Sequence, residues 1–136
     1  MPKPTPRPDA CPCGRGTAFS ACCGRFPAPG GPPAPDAESL MRSRYSAFVR
    51  GDVAHLLATW HPDTRPATLD LEPGVKWLGL EVRSHRAIDA DHAEVEFVAR
   101  SRQGGRGQRL HERSRFVREG GRWYYRDGDL LTKGNE

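Results

Sequence analysis

Cysteine is scarce in this 136-residue chain, and all four residues sit in one short stretch, at Cys11, Cys13, Cys22 and Cys23. No apolar run approaches the length that spans a bilayer. The first residues alternate proline at Pro2, Pro4, Pro6 and Pro8, which suits neither the h-region of a signal peptide nor a membrane anchor. The expected compartment is therefore the cytoplasm. There is no P-loop, no G-x-G-x-x-G between a strand and a helix, no H-E-x-x-H and no G-x-S-x-G. Their absence leaves no motif for P-loop nucleotide hydrolysis, dinucleotide binding, zincin proteolysis or nucleophile-elbow hydrolysis.

Proline is unevenly spread. Ten of the 13 prolines precede Asp36. Residues 26–35 read as an extended Pro/Gly linker, with a domain boundary at 35/36. Residues 1–10 read as a disordered tail, 11–25 as a small element, 36–130 as the main domain and 131–136 as a second tail.

The net charge of +4 is concentrated toward the N-terminus, where Lys3, Arg7, Arg15 and Arg25 face a single acid, Asp9. Further on, arginines are interspersed with acids, as on a solvated surface. That pattern gives little support to a nucleic-acid partner.

Residues 11–24 read Cys-Pro-Cys-Gly-Arg-Gly-Thr-Ala-Phe-Ser-Ala-Cys-Cys-Gly. Four thiolates at about 2.3 Å satisfy a tetrahedral Zn²⁺, and so short a segment has little else to fold around. Two disulfides are disfavoured in a reducing cytosol. Vicinal Cys22 and Cys23 can both ligate only if the backbone between them is kinked.

The spacing C-x-C-x(8)-C-C resembles the SEC-C motif, a small zinc-binding element. Further along, M-R-S-R-Y-S-A-F (41–48), T-W-H-P (59–62), W-L-G-L (77–80), E-R-S-R-F (112–116) and W-Y-Y-R-D-G (123–128) together resemble the bacterial YchJ-like family. That resemblance implies an N-terminal SEC-C motif joined to an NTF2-like domain. It implies no particular activity. Many members carry a second SEC-C motif, whereas residues 24–136 contain no cysteine to build one.

Asp36 is placed to N-cap a helix that Gly51 ends, with Leu40, Met41, Arg44, Tyr45, Ala47 and Phe48 on one face. Arg44 lies in mid-stripe, and a buried guanidinium needs a partner. Asp52 caps a second helix with Leu56, Leu57 and Trp60 inward and Pro62 at its end. Residues 64–71 read as a third short helical turn.

From Val75 the period becomes strand-like. Leu78, Leu80 and Val82 share one face, as do Ala93, Val95, Phe97 and Ala99. Leu110, Glu112, Ser114 and Phe116 form a third such set, and Trp123 and Tyr125 a fourth. Asp89-Ala90-Asp91, Gly104-Gly105-Arg106-Gly107 and Glu119-Gly120-Gly121-Arg122 separate them as hairpin connections. Helices followed by an antiparallel meander make an α+β domain. The resemblance implies the NTF2-like cone.

Candidate chemistry is thin. Glu112 turns inward by parity, either as a desolvated general base or, in the favoured reading, as the ion-pair partner of Arg44. Asp127 shares the parity of Tyr125 and is a second candidate for either role. His61 reads as a helix C-cap, with catalysis as its weaker use. Candidate pocket residues are Arg44, Tyr45, Trp60, Trp77, Glu112, Ser114 and Tyr125, and the aromatics among them also suit a core.

Three function classes remain. The favoured one is a non-catalytic adaptor or scaffold that holds Zn²⁺ and contacts a partner protein through the SEC-C element, with homodimerisation compatible. The alternative is a small-molecule binder or enzyme using the cone pocket. Nucleic-acid binding through the zinc element ranks last.

Overall fold

Asp36 enters in an extended conformation (φ −152°, ψ 172°), and its carboxylate accepts from the Ser39 amide at 2.7 Å. That bond satisfies one of the orphan donors at the start of α1, Ala37–Arg50, and is worth about 1 kcal/mol. The helix stops at Gly51, whose left-handed φ of 72° lets its N–H turn back to Ala47 and Phe48. Asp52 then caps α2, Val53–Ala58, through the His55 amide at 3.1 Å. The structure is a computed structural model that describes residues 10–27 and 30–131. The expected tails, apart from Ala10 and Leu131, lie outside the described residues, as do positions 28 and 29 of the expected linker.

α2 is shorter than its sequence suggests. Thr59 is its C-cap, and Trp60 lies beyond it in a bridge to Tyr125. The His61 amide donates to the Tyr125 carbonyl, and the Tyr125 amide to the Thr59 carbonyl, both at 2.8 Å. Pairing with the sheet thus replaces the last helical turn. The helical turn expected at 64–71 does not form. Thr64 closes a turn on the His61 carbonyl at 3.0 Å and donates its hydroxyl to the Arg126 carbonyl at 2.6 Å, which ties this segment to the sheet.

Four antiparallel strands follow in sequence order, β1 Lys76–Asp89, β2 His92–Gln103, β3 Arg106–Glu119 and β4 Arg122–Leu130. The turns at Gly104-Gly105 and Gly120-Gly121 have φ between 58° and 79° at both central residues. Such primed turns match the twist of the strands, and glycine adopts them without steric cost.

Of the four register shifts in the sheet, two decide which residues face the helices. In β1 the register slips between Trp77 and Gly79, so Trp77 and Leu80 both face the helices, while Leu78 is 48% exposed. The simple alternation had put Leu78 inside. In β4 the slip lies opposite Arg115/Phe116. Tyr125 therefore faces inward opposite Phe116, whereas Asp127 sits opposite Arg115 on the other face.

The core lies between α1 and the concave face of the sheet. Leu40, Met41 and Tyr45 meet Val95, Phe97 and Phe116, with Leu80, Val82 and Tyr125 packed around them. Phe116 is among the largest fully buried side chains, and its burial contributes about 1.5–3 kcal/mol. The segment expected as a linker also joins this core: Ala34 is buried and Phe26 packs beside it. Among the described residues, no helix is long and apolar enough to cross a membrane.

Candidate metal centre and the cone cavity

The four cysteines converge. An isolated bridge between Ala10 and Ala18 closes the first loop, with the Cys11 amide bound to the Thr17 carbonyl at 2.8 Å and the Gly14 amide to the Cys11 carbonyl at 3.2 Å. Two 3-10 turns, Phe19–Ala21 and Cys23–Arg25, bring round the second pair. Between them Cys22 takes φ −128°, ψ −112°, which is the kink that vicinal ligation requires.

All four Sγ atoms lie within 4.8 Å of one another, and those of Cys13 and Cys22 are 3.6 Å apart. No disulfide joins them. Sulfurs tetrahedrally placed at about 2.3 Å from a metal stand roughly 3.8 Å from one another, so the cluster fits a metal ion. The thiols compete for charge. Donation from the Cys23 thiol, against the effect of burial, pulls Cys13 down to about 4, and burial pushes Cys22 up to about 11. A buried set of this kind needs a cation before all four sulfurs can ionise together.

The cluster is mounted on the main domain. Ser46, in mid-α1 and 1% exposed, has its Oγ 3.4 Å from Cys11 Sγ and also hydrogen-bonds Cys23. Arg42 donates to the Cys13 carbonyl and to Glu38, both at 2.9 Å, and Arg15 reaches the same carboxylate at 3.4 Å. Burial alone would raise Glu38, but these two guanidinium groups outweigh it and hold the carboxyl below the usual value. Leu80 packs on the cysteines, and Arg50 lies 4.0 Å above the Phe19 ring. The sequence signal for this seat is a stripe of small buried residues, Ser39, Ser43 and Ser46, at helical spacing on α1.

Beneath α1 lies a cavity of about 230 Å³. Arg44, Tyr45, Trp60, Trp77, Glu112, Ser114 and Tyr125 all line it, together with apolar residues that include Met41, Phe97 and Leu110.

The expected ion pair between Arg44 and Glu112 is not formed. Arg44 Nη1 donates to the Leu56 carbonyl at 2.8 Å and to Thr59 Oγ1 at 2.7 Å. Its guanidinium lies 4.6 Å over Tyr125 and 5.3 Å over Trp60. The C-terminal end of α2 and the residue after it supply these acceptors; Thr59 opens the T-W-H-P stretch, but nothing in the sequence marked it as a partner of Arg44. Glu112 is held instead by the hydroxyls of Ser114 and Tyr125. Its carboxylate also occupies the space where Gly128 would carry a Cβ.

Asp127 does not line the cavity. The β4 bulge turns it to the outer face, where it pairs with Arg115, which Asp129 also contacts at 2.7 Å. His61 is not a helix cap. It is buried, its Nδ1 accepts from the Asp63 amide at 3.1 Å, and its Nε2 lies 2.7 Å from Glu119. Acceptance at Nδ1 leaves Nε2 as the protonated nitrogen that donates to the carboxylate. It lies outside the cavity and ties the segment after α2 to the end of β3.

Known proteins place this architecture. The family model described as YchJ, middle NTF2-like domain, matches residues 36–128, and the SEC-C motif model matches residues 7–25. A UPF0225 protein of Polaromonas naphthalenivorans is 63% identical over 131 residues, which cover 88% of this chain and 96% of that one. A UPF0225 protein of Bordetella parapertussis is 59% identical, covering 96% and 99%. Among solved structures, a SEC-C motif containing protein from Rhodopseudomonas palustris superposes with a TM-score of 0.79 at 34% identity, covering 90% of this chain and 99% of that one. Another from Psychrobacter arcticus gives 0.75 at 28% identity, covering 93% and 85%. On its residues, its fold and these matches, the chain belongs to the YchJ-like UPF0225 family, an NTF2-like domain with an N-terminal SEC-C motif.

Proposed function

We propose that this chain is a zinc-dependent docking protein of the cytoplasm without catalytic activity. Cys11, Cys13, Cys22 and Cys23 hold one Zn²⁺, and the metal keeps residues 11–25 folded as a rigid surface for a partner protein. The observation that carries this reading is the mounting of the cluster on α1 through Ser46, Arg42 and Leu80. A loop fixed in that way presents its exposed residues, among them Arg15, Ser20 and Arg25, in one orientation. Four sulfur ligands suit a closed structural zinc site, in which no position is left for substrate.

The polar groups elsewhere agree with a scaffold. Glu112, Asp127 and His61 are each held by a protein partner. Arg113 and Arg118 pair with Glu96 and Asp91, which favours a protein over a polyanion as partner. The open cone favours a second role beside the first, the binding of a small molecule.

The test is a pull-down with wild-type bait against Cys11→Ser/Cys13→Ser bait, with zinc measured in both. The expected result is a partner retained by zinc-loaded wild type and lost with the double variant. Equal recovery by both baits overturns the docking role of the element.

A further inference from the structure

We propose that the cone cavity binds a small aromatic carboxylate, with Arg44 as its anion clamp. This rests on reading the cone as a ligand site and commits it to one chemical class.

Arg44 is 6% exposed and lines the cavity. Both of its hydrogen bonds leave from Nη1, so Nε and Nη2 have no acceptor among the described residues. No carboxylate among them lies within ion-pair distance of this guanidinium, and Glu112 is engaged by Ser114 and Tyr125. Burial pushes Arg44 down to about 10, while Tyr125 and Glu112 act in the opposite direction; the group stays charged at neutral pH. Nε and Nη2 lie on one edge of the guanidinium fork, which is the geometry that takes a carboxylate in two parallel bonds.

Trp60 lines the same cavity, with its Nε1 buried and left without a partner among the described residues. The shortfall at Arg44 is of acceptors, so the missing group is an acceptor. Tyr45, Phe48 and Trp77 make a cluster of tilted and edge-to-face rings along the rest of the space. An aromatic body extends that arrangement. The cavity's volume of about 230 Å³ is roughly seven to eight times a water's liquid share of about 30 Å³, room on the scale of one ring bearing a carboxylate, such as benzoate.

The experiment titrates the full zinc-loaded chain with benzoate and, separately, with benzamide, its uncharged counterpart of the same shape. Two-dimensional NMR follows the indole N–H resonances. The expected result is saturable movement of the Trp60 and Trp77 indoles by benzoate, with benzamide binding at least tenfold more weakly. Since the unmodified chain is used, loss of folding in an Arg44 variant does not enter the comparison. Equal affinity for the two compounds overturns the anion clamp while leaving the cone a ligand site. No movement of either indole with either compound overturns both.

Discussion

The hydroxyl of Ser46, in the middle of α1, lies 3.4 Å from the sulfur of Cys11. One helix therefore serves two cores, with Ser46 toward the cysteines and Tyr45 beside it toward the sheet. A metal held by these cysteines would thus be linked to folding of the main domain through this helix. The stretch at 26–35 had implied separate units, but Ala34 and Phe26 belong to the same core.

Chelation should then lower the unfolding temperature of the whole chain. A ligand that binds only the folded state stabilises it by several kcal/mol when well above its dissociation constant, which here amounts to at least about 5 °C. The near-UV CD melt of the tryptophans, recorded with and without a strong chelator, measures this. An unchanged melt shows that the two parts unfold independently.

Metal content follows from the ligand set. The purified chain should carry one zinc, and Cys13→Ser should lose most of it, because Cys13 is wholly buried at the centre of the cluster. Elemental analysis together with thiol counting decides this. Iron in place of zinc, or disulfides, counts against the assignment.

Glu112→Gln should cost only about 1 kcal/mol, because it keeps an oxygen for Ser114 and Tyr125 and strands no ion-pair partner. A buried ion pair with Arg44 would have made the cost about 3–5 kcal/mol. Gly128→Ala should be the more damaging change, since its methyl meets the Glu112 carboxylate. Glu112→Ala should relieve that clash, so the pair of substitutions should cost less than the sum of the two alone. Denaturant unfolding of the four proteins gives the coupling energy.

His55 supplies a pH dependence. Burial pushes it below its ordinary value of 6.5, and Arg44 acts in the same direction, against Asp52. The unfolded chain takes up this proton first. Stability is therefore complete above about pH 6.5 and falls as the pH drops through the lower, folded value. The slope approaches about 1.4 kcal/mol per pH unit at most. His55→Gln should be flatter than wild type between pH 7.5 and 5.5; parallel curves for the two proteins show that another group carries the loss.

Local chemistry was readable without coordinates. The C-x-C-x(8)-C-C spacing brings four cysteines to one point because a short closed loop depends on few residues outside itself. Asp36, Gly51 and Asp52 mark helix ends because capping involves bonds only three or four residues away. The helical stripe put Arg44 inward, and strand parity did the same for Glu112. Tertiary structure alone decided what those charges meet. A bulge adds one residue and reverses every later side chain, so parity misplaced Leu78 and Asp127; only Gly79 beside the β1 slip hinted at it. The acceptors of Arg44 are a backbone carbonyl and a threonine hydroxyl, groups repeated all along the chain. Which of them lies beside a buried guanidinium depends on where α2 ends against β4, and only the packed chain fixes that.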